Sequence, residues 1–173
     1  MTILRRSDQE ESTPFEGAKM LLLAGAPTGA TMATVGDLTV EPGRRSVYHL
    51  HPNTEESIFI VKGEMEFRVG SSRFRASSGD CVLAPQGVGH GLENVGDYPA
   101  RLITIYPNAN PQREALDDVA FTDGDPGPTV FVRGNVEPYE FFPGINRYDM
   151  VGDFLGASST YLSELTFEPD SVA

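Results

Sequence analysis

Short apolar runs organise the chain between residues 31 and 106. Apolar and charged residues alternate strictly within Met65–Val69, as they do on a half-buried strand, so Met65, Phe67 and Val69 are predicted to face inward. Such runs recur between glycine and proline turns, a spacing typical of an all-β sandwich or barrel. The predicted strands are Thr31–Val40, Ser46–His51, Ser57–Val61, Met65–Val69, Phe74–Ala76, Cys81–Ala84, His90–Asn94 and Arg101–Tyr106.

The segments that flank these strands have a different composition. Residues 1–29 are predicted to form an N-terminal arm, and its first 13 residues are polar and expected to be loose. The segment Asn110–Leu116 is predicted to be a short helix, because Asn110 is a good N-cap and Pro111 a good first helical residue. Residues 121–129 have the composition of a linker, so 109–129 is assigned to helix and linker.

All three histidines of the chain fall inside two spaced patterns. The first pattern consists of Gly43, His49, His51, Glu56 and Gly63, separated by five, one, four and six residues. The second consists of Gly79, Pro85, Gly87, His90 and Asn94, separated by five, one, two and three residues. Three imidazoles and a carboxylate are ligands that a divalent transition metal accepts.

Strand geometry explains how these ligands can meet. His49 and His51 lie two residues apart on a predicted strand, so their side chains share one face. Glu56 opens the next apolar run and can reach the same point if that run folds back antiparallel, while His90 comes from a later strand. The neighbouring Glu55 is a rival for the carboxylate position, but six residues separate Glu56 from Gly63, and this count favours Glu56.

The two patterns resemble both motifs of the cupin superfamily, with every signature position filled. The resemblance covers roughly residues 30–108 and implies a double-stranded β-helix, or jelly-roll, barrel there. It implies that His49, His51, Glu56 and His90 are the metal ligands. The absence of a thiolate in this set disfavours a structural zinc site and leaves Fe, Mn, Ni, Co, Cu or catalytic Zn open as the single divalent metal.

An internal repeat marks the last part of the chain. Asp37–Pro42 recurs as Glu164–Pro169 at an offset of 127 residues, and two glycines match at the same offset. Residues 130–173 therefore resemble the start of a second cupin unit and are expected to form strands. Either the chain is part of a two-domain cupin, or the tail covers a sheet edge in its own barrel or a partner's, which favours a homodimer.

The inward side of the predicted strands suggests a substrate pocket. Its expected apolar lining is Val47, Ile58, Ile60, Met65 and Phe67. Arg45 shares its alternation parity with the histidine pair and is a candidate for holding an anionic or carbonyl-bearing substrate. Glu56 is a candidate general base, since the apolar neighbours Ile58 and Ile60 can raise its pKa, although a bound cation lowers it. Tyr48 and Tyr106 are further candidate proton donors.

Composition and charge restrict the partners. The net charge of −12 repels nucleic-acid phosphates and anionic lipid surfaces, so neither nucleic acid nor membrane is an expected partner. No apolar run approaches the roughly 18 residues of a membrane span. The single cysteine, Cys81, excludes an internal disulfide and is expected to be an inert buried thiol. A cytoplasmic location is consistent with these features.

Three functions agree with the predicted metal site. The first is a metal-dependent oxygenase or dioxygenase that acts on a small oxygen-bearing organic molecule, because four protein ligands leave up to two positions open on the metal. The second is a non-redox metal enzyme of the polyketide cyclase, isomerase or lyase type. The third is a binding protein in which the metal only anchors a small ligand. The metal that co-purifies and the turnover of candidate substrates separate the three.

Overall fold

The computed structural model describes residues 5–124 and 129–172, and its regular structure is almost entirely β. The strands are β1 (Glu11–Ser12), β2 (Ala18–Ala24), β3 (Thr34–Val40), β4 (His49–Leu50), β5 (Glu56–Lys62), β6 (Glu64–Val69), β7 (Ser72–Ser77), β8 (Cys81–Ala84), β9 (His90–Asn94), β10 (Ala100–Tyr106), β11 (Glu114–Ala115), β12 (Thr122–Asp123), β13 (Val130–Phe131), β14 (Tyr139–Phe142), β15 (Ile145–Val151) and β16 (Leu162–Phe167). Short 3₁₀ turns lie at Arg6–Asp8, Ala26–Thr28, Arg133–Asn135 and Asp153–Leu155. No helix among the described residues is long and apolar enough to cross a membrane.

Two sheets share one apolar core and form the jelly roll, which confirms the predicted all-β class. The first sheet has the strand order β1-β2-β3-β10-β5-β8-β13, and the second has the order β11-β4-β9-β6-β7-β12. Leu38 and Ile60 come from the first sheet, while Met65 and Phe67 come from the second, and all four lie in the same buried cluster. The alternation along β6 therefore turned its apolar side chains inward as predicted, because one face of that strand meets the core.

Arg68 departs from the simple alternation on β6. Its side chain lies on the outer face of the sheet but is buried, because the segment that follows the barrel covers it. The guanidinium donates hydrogen bonds to Asp118 Oδ1 (2.9 Å) and to the Ser46 carbonyl (3.0 Å), and it lies 5.6 Å from the Phe121 ring centre. An apparent surface arginine thus anchors this covering segment.

The predicted helix at Asn110–Leu116 is wrong. The chain instead runs across the barrel mouth, and β11 pairs antiparallel with β4. Asn53 Oδ1 accepts a hydrogen bond from the Gln112 N–H (2.9 Å), and the Tyr48 carbonyl accepts one from the Leu116 N–H (2.9 Å). A helix of this length is only marginally stable by itself, so hydrogen bonds to the barrel determine the conformation of this segment. The predicted linker contributes β12, and residues 125–128 of it lie outside the described residues.

The residues assigned to an N-terminal arm extend the first sheet. β2 pairs with β3 from Ala18↔Val40 to Ala24↔Val35, and β1 pairs with β2. The apolar run Met20–Leu23 therefore belongs to a strand of the barrel sheet and not to a separate arm. Pairing with β2 satisfies the backbone groups that β3 would otherwise leave open at a sheet edge.

The internal repeat is present in the backbone as well as in the sequence. β2 and β15 occupy positions exactly one repeat apart, and the same holds for the 3₁₀ turns Ala26–Thr28 and Asp153–Leu155. Corresponding hydrogen bonds recur, such as Glu41 N–H to the Gly17 carbonyl (2.9 Å) and Glu168 N–H to the Gly144 carbonyl (2.8 Å). β14, β15 and β16 form a separate three-stranded sheet, here called the tail sheet.

One turn shows how closely the two copies agree. Gly43 has φ of 69°, a left-handed conformation that suits glycine. Its counterpart Asp170 has φ of 67°, although aspartate adopts this region far less readily. The repeated turn imposes the same conformation on both residues. The two segments are therefore similar in backbone structure even where their residues differ.

The second copy docks on the outer side of the barrel. β13 pairs antiparallel with β8, through Val130↔Val82 and Phe131↔Cys81. A second apolar cluster fills the contact between barrel and tail, and its buried members are Cys81, Leu83, Phe131, Met150, Val151 and Leu155. Burial raises the pKa of the Cys81 thiol to about 12, in agreement with the inert thiol expected from the sequence.

A buried carboxylate also joins the tail to the barrel. Glu55, which is only 2% exposed, accepts hydrogen bonds from the N–H (2.7 Å) and hydroxyl (2.8 Å) of Ser158. It also accepts from the N–H groups of Ser159 (3.0 Å) and Thr160 (2.7 Å). These backbone groups are turned toward Glu55, which explains why β16 begins only at Leu162.

Candidate metal centre

Four buried side chains converge inside the barrel. His49 on β4 lies directly opposite His90 on β9, and Glu56 begins β5. β4 ends at Leu50, and His51 lies between this strand and the turn at Pro52 and Asn53. One candidate ligand atom from each of these four residues lies within 4.8 Å of the others. The expected set of His49, His51, Glu56 and His90 is therefore brought to one point, whereas the rival Glu55 faces the tail.

Backbone carbonyls orient the three imidazoles. Nδ1 of His49 lies 2.9 Å from the Val47 carbonyl, and Nδ1 of His90 lies 2.9 Å from the Val88 carbonyl. Nδ1 of His51 contacts the Gln112 carbonyl on the covering segment. A carbonyl only accepts, so each Nδ1 carries the proton in the neutral ring, and each Nε2 keeps a lone pair. This is the arrangement by which outer partners fix metal-binding histidines.

Glu56 is held from both sides. Its Oε2 lies 2.9 Å from His90 Nε2 and 3.3 Å from His51 Nε2, while its Oε1 accepts a hydrogen bond from the Tyr106 hydroxyl (2.7 Å). Burial tends to raise the pKa of Glu56, but the adjacent His51 and His90 outweigh burial and hold this pKa well below its ordinary value. Glu56 is therefore ionised at neutral pH, contrary to the raised pKa that its apolar neighbours suggested.

The other groups of the centre respond to the same surroundings. Burial, followed by the charge of His90, lowers the pKa of His49 to about 3. Burial also acts to lower the pKa of His51, but the nearby Glu56 carboxylate outweighs burial and raises this pKa. Burial and the charge of Glu56 raise the pKa of Tyr106 well above its ordinary value. Tyr106 thus keeps its proton and can hold Glu56 Oε1 in place.

The donor set fits one divalent transition metal, which confirms the cofactor expected from the sequence. The Nε2 atom of His51 is buried and has no hydrogen-bond partner with suitable geometry, so a cation at the centre would satisfy it. Three neutral imidazoles and a carboxylate carry a total charge of −1, which complements a divalent cation.

A cavity of about 210 Å³ opens beside this centre. Its walls are mainly apolar, and polar side chains contribute at a few points. The apolar side chains are Phe15, Met20, Leu22, Leu38, Ile58 and Leu92, and the polar ones outside the centre are Thr34, Ser46, Thr104, Tyr106 and Arg113. The character of the pocket agrees with the sequence-based expectation, but most of its residues differ.

Two predicted pocket residues lie outside the cavity and are corrected. Val47 is 56% exposed, and the Arg45 side chain is also exposed beside Asp118. Both predictions assumed a regular strand from Ser46 to His51, but the regular pairing of β4 covers only His49–Leu50. Strand alternation therefore cannot be extended back through Val47 to Arg45.

Of the remaining predicted lining residues, only Ile58 borders the cavity. Ile60, Met65 and Phe67 face inward as expected but are packed within the core beneath it. Sequence reasoning missed the contributions of Met20 and Leu22, because it assigned β2 to an N-terminal arm outside the barrel. It also missed Thr104 and Arg113. The alternation of β10 could have identified Thr104, which shares a face with Tyr106, but no local pattern indicated Arg113.

Fold and site together define a jelly-roll protein with a candidate site for a divalent transition metal. A family model described as the cupin domain matches residues 36–106, the part of the chain that contains both histidine patterns. A solved structure of oxalate decarboxylase from Bacillus subtilis at pH 4.6 aligns with a TM-score of 0.59 and 28% identity, over 65% of this chain and 31% of that one. Residues 36–106 therefore match the cupin family, as the motifs within them predicted.

Curated relatives of this chain include polyketide synthase proteins and an oxalate decarboxylase. The tetracenomycin polyketide synthase protein TcmJ of Streptomyces glaucescens is 28% identical over 50% of this chain and 58% of its own length. Protein SchB of Streptomyces halstedii is 34% identical over 47% of this chain and 59% of its own length. Oxalate decarboxylase OxdC of Bacillus subtilis is 30% identical over 57% of this chain and 27% of its own length. The chain therefore spans at most about three fifths of these relatives.

Proposed function

We propose that His49, His51, Glu56 and His90 bind one divalent transition metal and that the chain is a metal-dependent enzyme for a small, oxygen-bearing organic substrate. The observation that best supports this proposal is that Nε2 of buried His51 has no hydrogen-bond partner. This atom lies among the other donor atoms at the end of an apolar cavity. A bound metal supplies Lewis-acid chemistry and, if it is redox-active, electron transfer.

Among metal enzymes, we favour an oxygenase or dioxygenase. An engineered apolar cavity of about 150 Å³ holds benzene, so the somewhat larger cavity here suits a substituted ring that presents oxygen to the centre. The apolar walls exclude water from that end of the cavity. Tyr106 holds its proton on the hydroxyl that contacts Glu56 Oε1, and it thereby fixes the orientation of this carboxylate.

A non-redox enzyme is the second candidate. Polyketide synthase proteins are among the curated relatives, and the apolar cavity also suits a cyclisation or isomerisation substrate. A protein that only binds a metal-anchored ligand is the third candidate. Bacillus subtilis oxalate decarboxylase has Mn(II) centres, which makes manganese a metal to test here. Cytoplasmic location stays a prediction that rests on the single, buried Cys81.

Metal analysis followed by oxygen-uptake measurements tests the favoured function. We expect the protein, purified without added metal, to contain iron, manganese, nickel or copper. We also expect oxygen consumption that matches product formation from a panel of phenols and enolisable diketones. The His51→Ala variant is the inactive control. Zinc content with oxygen-independent turnover would support the non-redox enzyme instead, and absence of turnover with every metal would support the binding protein.

We further propose that the protein forms a homodimer through the tail sheet. The two copies of the repeat differ in what covers them: Val40 is fully buried, whereas its counterpart Phe167 is 54% exposed, and Leu38 is 5% exposed whereas Leu165 is 39% exposed. Phe141 and Phe142 add to this apolar surface. A second copy of the same sheet offers matching apolar groups and another free strand edge at β16.

Sedimentation equilibrium tests the dimer. We expect the wild-type chain to be dimeric at micromolar concentration and Phe167→Asp to be mainly monomeric, because a charge on the apolar face opposes its burial. Tyr98→Asp is the control at a similarly exposed aromatic residue outside the tail sheet. A monomeric wild type, or a Phe167→Asp variant that stays dimeric with an unchanged circular dichroism spectrum, would contradict this interface.

A further inference from the structure

Arg113 stands at the cavity on the segment that covers the barrel mouth. Gln112, the preceding residue, is fixed on both sides: its N–H donates to Asn53 Oδ1 (2.9 Å) and its carbonyl contacts His51 Nδ1. Nη2 of Arg113 lies 3.3 Å from His49 Nδ1 and 3.5 Å from the Val47 carbonyl. The backbone at this position is therefore tied to the candidate metal centre, and the guanidinium lies beside it.

The guanidinium of Arg113 has no carboxylate partner within residues 5–124 and 129–172. In the same part of the chain, most other arginines form ion pairs with aspartate or glutamate. The paired ones are Arg6, Arg44, Arg45, Arg68, Arg73, Arg75, Arg101, Arg133 and Arg147. In a chain of net charge −12, an arginine that borders the cavity beside the candidate metal centre without an acidic partner leaves a local positive charge available there.

The positive charge of Arg113 affects the pKa values of groups at the candidate metal centre. After the larger effect of burial, Arg113 acts to lower the pKa values of His49, His51 and Tyr106. Glu56 is the one acidic residue among the described residues that line the cavity. Its carboxylate already contacts His51, His90 and Tyr106. An anionic oxygen between Arg113 and the centre would therefore be attracted from both sides.

The other residues that line the cavity restrict which ligands can present an anionic oxygen to Arg113. Phe15, Leu22 and Ile58 give the cavity an apolar body that suits a hydrocarbon ring. Thr104 is 2% exposed, borders the same cavity, and its hydroxyl has no hydrogen-bond partner with suitable geometry. A ligand with a second polar substituent can satisfy that hydroxyl. The cavity thus combines one free cation and one unused hydroxyl with an apolar lining.

We propose that Arg113 is a specificity-determining residue that binds the carboxylate of an apolar ring acid, so that the substrate is an organic monocarboxylate. The inference rests on the proposed function insofar as it names the substrate class of the same site. It replaces Arg45, which the sequence suggested for this task, with the arginine that the covering segment brings to the cavity. Arginine suits a carboxylate because two of its N–H groups can bind both oxygens in a fixed geometry.

Binding of benzoate and benzyl alcohol to the full chain tests this inference, because the two probes share a ring and differ in the carboxylate. NMR titrations are carried out with the protein stripped of metal and with the zinc-loaded protein. We expect the wild type to favour benzoate by roughly tenfold in both states, a typical effect of one charge-assisted contact at a partly exposed site. Arg113→Met should abolish the preference, and Arg113→Lys should retain part of it.

Arg45→Met is the matched control, since Arg45 is exposed and lies outside the cavity, and it should leave the preference unchanged. Equal preference in wild type and Arg113→Met, or no preference in the wild type, would overturn the inference. If the preference appears only with zinc and does not depend on Arg113, the metal site stands and the role of Arg113 fails. If it depends on Arg113 but no metal binds, the role of Arg113 stands and the proposed metal enzyme fails.

Discussion

Replacing His51 with alanine is expected to abolish metal binding. His51 supplies a buried donor atom that has no hydrogen-bond partner at the centre, and its loss leaves two imidazoles and a carboxylate. Changes to outer partners of a metal ligand already weaken binding by 10–100-fold, so loss of a ligand should weaken it by more than about a hundredfold. Elemental analysis of the purified variant measures this directly.

Thermal unfolding gives a second readout of the same change. A metal at about 100 times its dissociation constant stabilises the folded state by about 2.7 kcal/mol. Added metal should therefore raise the Tm of the wild type and leave that of His51→Ala unchanged. Full metal content in His51→Ala would contradict the assignment of this ligand. Gln86→Ala, at an exposed residue that contacts Pro52 near the same loop, is the control and should bind metal normally.

Replacing Glu55 with alanine is expected to have the largest effect on stability without loss of metal. Its buried carboxylate accepts four hydrogen bonds from Ser158, Ser159 and Thr160. Truncation leaves three backbone N–H groups without that partner, and a buried unsatisfied group costs about 1–3 kcal/mol. Since water can reach part of the loop once it loosens, we expect a loss of about 3 kcal/mol, or about 6–12 °C in Tm.

The adjacent residue provides a matched comparison. Glu56→Ala should lose metal and keep the tail docked, whereas Glu55→Ala should keep metal and loosen the tail. Hydrogen exchange at the amides of residues 158–160 reports on docking, and elemental analysis reports on metal. Unchanged exchange at these amides in Glu55→Ala would show that the tail is held by the apolar cluster around Phe131 and Leu155 alone.

Low pH should weaken the contact between Glu55 and residues 158–160. Burial tends to raise the pKa of Glu55, but the hydrogen bonds from Ser158 and its neighbours outweigh it, so the folded-state pKa lies below the ordinary value of 4.5. Stabilisation by Glu55 is therefore fully present above that ordinary value and is lost as the pH falls through the lower, folded-state pKa. Denaturant titrations should show this decline in the wild type and a smaller one in Glu55→Gln, which has no charge to lose.

The polyketide synthase proteins and the oxalate decarboxylase structures match between about half and two thirds of this chain. This chain matches only part of each, and its own distinguishing features lie largely outside residues 36–106. Met20 and Leu22 come from the N-terminal strands, and Arg113 comes from the covering segment. The cavity is thus completed by segments on either side of the family domain, where substrate preference can vary while the metal centre stays the same.

The barrel strands could be predicted from the sequence, because side chains alternate along a strand and glycine and proline turns set where each strand ends. The positions of His49, Glu56 and His90 on these strands allowed their side chains to meet. The resemblance to the cupin motifs then supplied the prediction that they bind a metal together with His51. The repeat at an offset of 127 residues was also visible, because corresponding turns need the same residue types.

The use of the flanking segments depends on tertiary contacts that the sequence did not reveal. Asn110–Leu116 has good helix-starting residues, yet hydrogen bonds to Asn53 and Tyr48 hold it across the barrel mouth. β2 joins the first sheet because β3 offers it an edge, and Glu55 turns to the tail because residues 158–160 offer it N–H groups. These contacts join residues far apart in the chain, so local periodicity cannot reveal them, and Arg113 reaches the cavity for the same reason.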